Sequence, residues 1–423
     1  MDKNASILVI GAGTFGLSTA WHLVRDGYTN ITVIDRHEAP SVASAGHDLN
    51  KIFRLEYAVD LYTQMAVEAR KAWLEEPVLK GLYHENGYIF AVSGKSAPSV
   101  ANYEAAVANS AARGSAFEKL ESPEAFRAKA PFLDGEMKGW KGVWQPQGGW
   151  MHARDSLQAL TNDCKKRGVK FVSGPSGAVK SFRASPDKRT IVVAEDGTEY
   201  SPDKVVLAAG AWIDSVLPTE GQLLAKCWCY IHITLSEEEA KKFAKMPVIN
   251  NRELGYMFEP DAEGRRLKVC PHTTGYTHYV DPQRTRSVPR SKAVHPTDWI
   301  PVEAEKQIRE FLAECLPSLA TRPFSNAAMC WDAESPSDGD FLICRHPGFS
   351  NLFIAGGASA HGFKFLPTIG SKVKDLLEDK LDPELADLWR WRPGSERKVD
   401  TSRPSVPVLD IQDMSGWKRD AKL

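Results

Sequence analysis

The stretch "ILVIGAGTFGLSTAWHLVRDG", Ile7 to Gly27, constrains the fold more than any other part of the chain. Four apolar residues predict a short strand, and the helical spacing after the glycines predicts a helix. "ITVID" then supplies a second strand ending at Asp35. This strand, turn, helix, strand order is a βαβ unit, and Gly11-Ala12-Gly13-Thr14-Phe15-Gly16 places GxGxxG at its first turn. Without Cβ atoms, Gly11 and Gly13 permit a tight turn and close approach of a pyrophosphate to the positive helix N-terminus. Gly16 lets the helix pack on the strand. Asp35, 24 positions after Gly11, stands where a carboxylate can accept hydrogen bonds from ribose hydroxyls. A GxGxxG alone also serves as a structural turn; the strand, helix and acid in order favour a dinucleotide.

The 423 residues are long enough for two sizeable cores, so two domains are expected. A formal net charge of -1 gives no overall field to recruit nucleic acid or an anionic membrane, which leaves a small molecule as the expected partner. No apolar run reaches the ~20 residues of a membrane helix, and "MDKNAS" has no signal-peptide core. Seven cysteines without a CxxC pair read as a reducing compartment and give no metal-ligand spacing. The terminal Ala421-Lys422-Leu423 is a variant of the Ser-Lys-Leu peroxisomal address, so an import receptor is an expected partner.

The motif does not choose between NAD and FAD, which share an ADP half. Later segments bear on that choice. "KVVLAAGAW" (204–212) resembles the strand that many FAD oxidoreductases return beneath the flavin, and "FIAGGASAHGFKFLPTIG" (353–370) resembles their C-terminal strand, loop and helix. With "SAGHDLNKIFR", "QGGW", "LKVC", "CWDAESPSDGDFLICRHP" and "WRWRPG", they make nearly the whole chain resemble the monomeric sarcosine oxidase family, FAD-dependent amine oxidases of the DAO superfamily. Within it the fungal branch of fructosyl amino acid oxidases and saccharopine oxidase is nearest.

The resemblance implies an α/β fold: a Rossmann-like FAD domain with a parallel sheet, as in the glutathione-reductase type, and a mixed-sheet α+β substrate domain. The FAD domain is expected from residues 1–80, 146–224 and 319–400, the substrate domain from 81–145 and 225–318, and a C-terminal arm from 401–423. It also implies a monomer that oxidises the C–N bond of a secondary amine to an imine, with O₂ reduced to H₂O₂ and the imine hydrolysed.

Residue by residue, the resemblance gives Cys330 a thioether to the flavin 8α-methyl. Alone, such a cysteine is more often a buried small hydrophobe. Arg54 and Lys364 match the pair that grips a substrate carboxylate, and Lys268 matches the lysine credited with activating O₂. His272 stands where sarcosine oxidases have histidine and fructosyl amino acid oxidases usually an acid. Lys51 and His47 match polar groups near the flavin, and Tyr256 is a further site aromatic. Lys51, Arg54 and Tyr57 recur every third residue and share a face if helical. Thr14, Phe15, Arg36, Ser44, Val179, Ala209, Gly210, Trp212, Gly357, Gly362 and Phe363 complete the expected cofactor contacts.

The expected substrate is a secondary amino acid of sarcosine, pipecolate or saccharopine type. Competing readings are a deglycating oxidase of fructosyl amino acids or peptides and a flavin-dependent biosynthetic cyclase without oxidase turnover.

Overall fold

Short runs of buried aliphatic residues assemble the first sheet from segments far apart in sequence. The computed structural model describes residues 1–57, 59–272, 275–394 and 408–418. Strand Ile7–Ile10 is buried at all four positions, as a parallel strand covered on both faces requires. It pairs in parallel with Ile31–Ile34 on one side and Lys204–Leu207 on the other. Lys170–Val172 extends the first edge in parallel, Leu352–Gly356 the second, and antiparallel Leu342–Arg345 closes the sheet.

The order reverses beside Ile7–Ile10, and the carboxyl end of such a switch point is where open α/β sheets bind ligands. Helix Thr14–Arg25 covers the sheet with Ala153–Lys166 and Ile369–Leu377. Gly370 permits this close packing, because a Cβ there would lie 2.1 Å from the Ser18 carbonyl oxygen.

A larger mixed sheet forms the second layer of the molecule. It runs from Glu118–Leu120 through Lys141–Gln145, Tyr88–Val92, Val248–Asn251, Gly255–Met257 and Arg266–Pro271 to the long strand Leu224–Thr234. Helix Val302–Cys315 buries Ala304, Ile308, Phe311, Leu312 and Cys315 against it.

Three expectations change here. Strand Asn326–Glu334, expected within the 319–400 FAD segment, pairs antiparallel with Leu224–Thr234, opposing Cys330 to Trp228. The substrate-side sheet thus carries the cysteine. Secondly, the arm expected at 401–423 is not separate where it is described: Leu409–Asp410 pairs in parallel with Tyr276–Thr277, and Trp417 is buried. Ala421-Lys422-Leu423 lie outside the described residues. Thirdly, the possible helix through Lys51, Arg54 and Tyr57 is instead strand Asn50–Phe53 followed by an irregular turn. Its backbone groups pair with Gly149–His152, which excludes the bonds a helix needs.

Candidate active site

The parallel strands direct their carboxyl ends into one cavity of about 800 Å³. Gly11 follows the first strand, Asp35 the second, Ala209 and Gly210 come just after Leu207, and Gly357 follows Gly356; all line the cavity. Gly11 has φ +109°, and a Cβ there would come within 2.4 Å of the Ala208 carbonyl oxygen, so two strand ends can meet there only without a side chain. Gly16 is off the wall: a Cβ on it would lie 1.9 Å from the Gly11 carbonyl oxygen. The helix there closes first on the turn, with the Val9 side chain of the strand 3.4 Å from the same point.

Thr14, Phe15, Gly13, Arg36, Ser44, Val179, Trp212, Gly362 and Phe363 also line the cavity. Asp35 accepts the Ala12 N–H at one oxygen and the His37 N–H and Ser41 hydroxyl at the other, each at 2.8–2.9 Å. These bonds fix the carboxylate at the mouth of the turn. Its Oδ2 retains a lone pair for another donor.

The substrate-side sheet brings Tyr256, Lys268, His272 and Cys330 to the same cavity, whose wall also carries Lys51, Arg54 and Lys364. Of the seven cysteines, six are buried and Cys330 is half-buried. Lys51 Nζ donates to its Sγ at 3.4 Å. Burial raises the thiol's pKa, and the Lys51 charge opposes that rise. Lys268 is 2% exposed in strand Arg266–Pro271. Its ammonium pairs closely with Asp48, donates to the Asn50 carbonyl at 3.1 Å and lies 4.7 Å from the Tyr230 ring centroid.

Asp48, not singled out from sequence, ties these lysines together. Its Oδ2 also accepts from Lys51 at 2.8 Å. Burial opposes its charge, but the two lysines outweigh that penalty and hold the carboxyl far below the ordinary range. For Lys51 burial likewise opposes the charge, and Asp48 and Cys330 reverse it, raising its pKa well above a free lysine's. The carboxylate is therefore the counter-charge that allows two cations inside one cavity. Asp48 lies within "SAGHDLNKIFR", but its pairing with Lys268, 220 positions away, is tertiary.

Arg54 and Lys364 converge on Tyr57. Arg54 lies 4.6 Å and Lys364 Nζ 4.5 Å from the ring centroid, and Lys364 donates to the phenol oxygen at 2.7 Å. The Tyr57 hydroxyl lies 3.1 Å from His361 Nδ1, whose Nε2 is 3.0 Å from the Gly339 carbonyl. A carbonyl only accepts, so Nε2 carries the hydrogen and Nδ1 accepts from Tyr57. Burial and the neighbouring Arg54 hold the Lys364 pKa well below the ordinary lysine value. An anion placed between them would relieve that repulsion.

Besides Gly16, His47 is the expected site residue that the wall lacks. It is off the cavity wall, half-buried, and its N–H bonds the Ser44 carbonyl at 2.9 Å. Burial and nearby Arg154 lower its pKa. The following residue, Asp48, faces inward in its stead. Besides Asp48, sequence reading missed Glu56, Asp332 and His361 on the wall. Asp332 accepts the Ala360 N–H at 2.8 Å, and burial pushes its carboxyl up to about 6.

Residues 6–376 match the family described as FAD dependent oxidoreductase, DAO. The chain belongs to that family. It is 34% identical to L-saccharopine oxidase of Schizosaccharomyces pombe, over 96% of this chain and 98% of that one. It is 26% identical to monomeric sarcosine oxidase of Bacillus sp. (strain B-0618), over 89% and 93% of the two chains. Fructosyl peptide oxidase from E. terrenum superposes on it with a TM-score of 0.93 at 36% identity, over the full length of both. This family membership confirms the two-part fold with a Rossmann-like FAD-binding domain. The wall fits FAD: a side-chain-free turn at Gly11 faces a helix N-terminus, and a fixed carboxylate at Asp35 stands beside it. Among the described residues, no helix is long and apolar enough to cross a membrane.

Proposed function

We propose that this FAD-dependent oxidoreductase is an oxidase of a secondary amino acid, with the substrate carboxylate held by Arg54 and Lys364. The observation that carries this reading is the inward convergence of those two cations on Tyr57. When bound, FAD supplies the acceptor for the two electrons of the C–N bond and passes them to O₂, giving H₂O₂. Gly11, Gly13, Asp35 and the 356–364 loop would hold the cofactor, and Cys330 would anchor it covalently through sulfur.

The protein's own part in the chemistry is electrostatic and positional. Arg54's guanidinium donates to the Glu56 carbonyl, which fixes its plane before substrate arrives. A carboxylate between Arg54 and Lys364 favours the charged form of Lys364 and offsets the burial of both groups. Lys268 keeps a fixed cation inside the cavity where negative charge forms on oxygen. The amine must be its free base to give up electrons, so turnover rises with pH through an amine or complex pKa. Flat activity across that range would count against the reading.

Replacing Arg54 by Met should raise KM for the amino acid by about 10- to 100-fold, the value of a charge-assisted bond. Steady-state peroxide release checks it; an unchanged KM would remove Arg54 from the clamp. A panel scored by the same peroxide assay settles the substrate. Saccharopine, pipecolate or sarcosine should be consumed ahead of fructosyl-valine and fructosyl-lysine.

The opposite order would establish the deglycating reading, which the likeness to fructosyl peptide oxidase favours. His272 on the cavity wall supports the amino acid, since a fructosyl group would call for an acid there. We further infer that the enzyme acts as a monomer, and that Ala421-Lys422-Leu423 directs it to the peroxisome, where peroxide is disposed of.

A further inference from the structure

Glu56 lines the cavity with Arg54 and Lys364, and its side chain has no part in the chemistry above. It is 9% exposed, and its Oε2 has no hydrogen-bond partner among the described residues. A buried carboxylate oxygen without a donor costs a folded protein free energy, on the order of 1–3 kcal/mol. Such an atom on a binding surface is completed by a ligand donor. An α-amino acid whose carboxylate sits between Arg54 and Lys364 carries its nitrogen one carbon away, within reach of the residue whose backbone carbonyl steadies Arg54.

We propose that Glu56 Oε2 accepts a proton from the substrate's secondary ammonium and so supplies the free amine that oxidation requires. The inference rests on the secondary-amine reading. In the step one N–H bond breaks, one O–H bond forms at Oε2, and the nitrogen keeps the electron pair as its lone pair. No electrons change owner.

Four titratable or charged groups face Glu56. Arg54 lies on its own segment with Tyr57; Lys364 comes from the turn Phe363–Phe365, and Tyr88 from strand Tyr88–Val92. Burial raises the Glu56 carboxyl above its ordinary value, and the cations Arg54 and Lys364 limit that rise. The raised value makes it a better proton acceptor than a free carboxylate. As pH falls through it, the acid is already protonated and the step is lost.

The test is anaerobic flavin reduction by a secondary amino acid from about pH 6 to about pH 10, in the wild-type holoenzyme and Glu56→Gln. The variant should be slower by about 10²-fold at the acid end and approach wild type where solution already supplies free amine. Binding of a thioether carboxylate, in which sulfur replaces the amine, should be unchanged when read from the flavin absorption.

Glu56→Asp, which withdraws the acid by one methylene, should lower the acid-end rate without moving the alkaline one; if E56Q does not retain flavin, that split decides. An equal loss at every pH, a profile identical to wild type, or a loss confined to substrates with a second ammonium group overturns the proposal. A wild-type enzyme that no secondary amino acid reduces overturns the amine reading together with it.

Discussion

Acid-precipitated wild-type protein is expected to carry its yellow flavin into the pellet, and Cys330→Ser to leave all of it in the supernatant. The contrast is all or none, because a thioether survives unfolding and a noncovalent contact does not. Three cysteines line the cavity, Cys229, Cys270 and Cys330; of these Cys229 and Cys270 are buried like the other four, and Cys330 alone is half-buried. Lys51, 3.4 Å from its sulfur, favours the thiolate, which is the nucleophilic form. That cation is in turn held by Asp48 at 2.8 Å. Serine keeps the size and leaves the strand pairing with Trp228 intact, so a folded variant that releases free flavin isolates the bond. Flavin found in the supernatant of the wild type would refute the link, and so would flavin retained in the C330S pellet.

How much of this was legible in the sequence differs between the two sheets. The first sheet's strands are apolar runs bounded by glycine, because burial on both faces leaves few alternatives. "ILVI", "KVVL" and "NLFIAGG" could therefore be read directly, and the motif at Gly11 located the turn. The "CWDA" strand could not be assigned to its sheet, since its pairing with Leu224–Thr234 is a contact across about a hundred residues.

The segment after Asn50 shows the same limit. A three-residue recurrence of Lys51, Arg54 and Tyr57 suits a helix, but pairing with Gly149–His152 takes the backbone. All three side chains nonetheless reach the cavity. The resemblance identified the residue types that face the cofactor, while the tertiary counter-charges went unread. Neither Asp48, shared by two lysines, nor Glu56, left with an open acceptor, has a sequence signature that separates it from a surface acid.

Replacing Lys268 by Met should leave flavin reduction by substrate nearly unchanged and slow reoxidation of the reduced enzyme by O₂ about 10²- to 10³-fold, the usual loss when one preorganised charge is removed. Stopped-flow mixing of the anaerobically reduced variant with oxygenated buffer measures it. The expectation depends on how the cation is held. Asp48 and the Asn50 carbonyl fix the ammonium from one side, and the Tyr230 and Phe258 rings lie 4.7 and 5.1 Å away, so little reorganisation is left for the moment negative charge forms on oxygen.

Methionine fills a similar volume without charge, and Asp48 keeps Lys51 as its partner, so no buried carboxylate is orphaned by the change. Lys51 is itself a cation on the same cavity wall, and the experiment asks whether it can substitute. Its ammonium lies beside Cys330 and Asp48, committed to the sulfur end of the site. A variant reoxidised at the wild-type rate would mean that Lys51 serves oxygen as well as sulfur, and would remove the role assigned to Lys268.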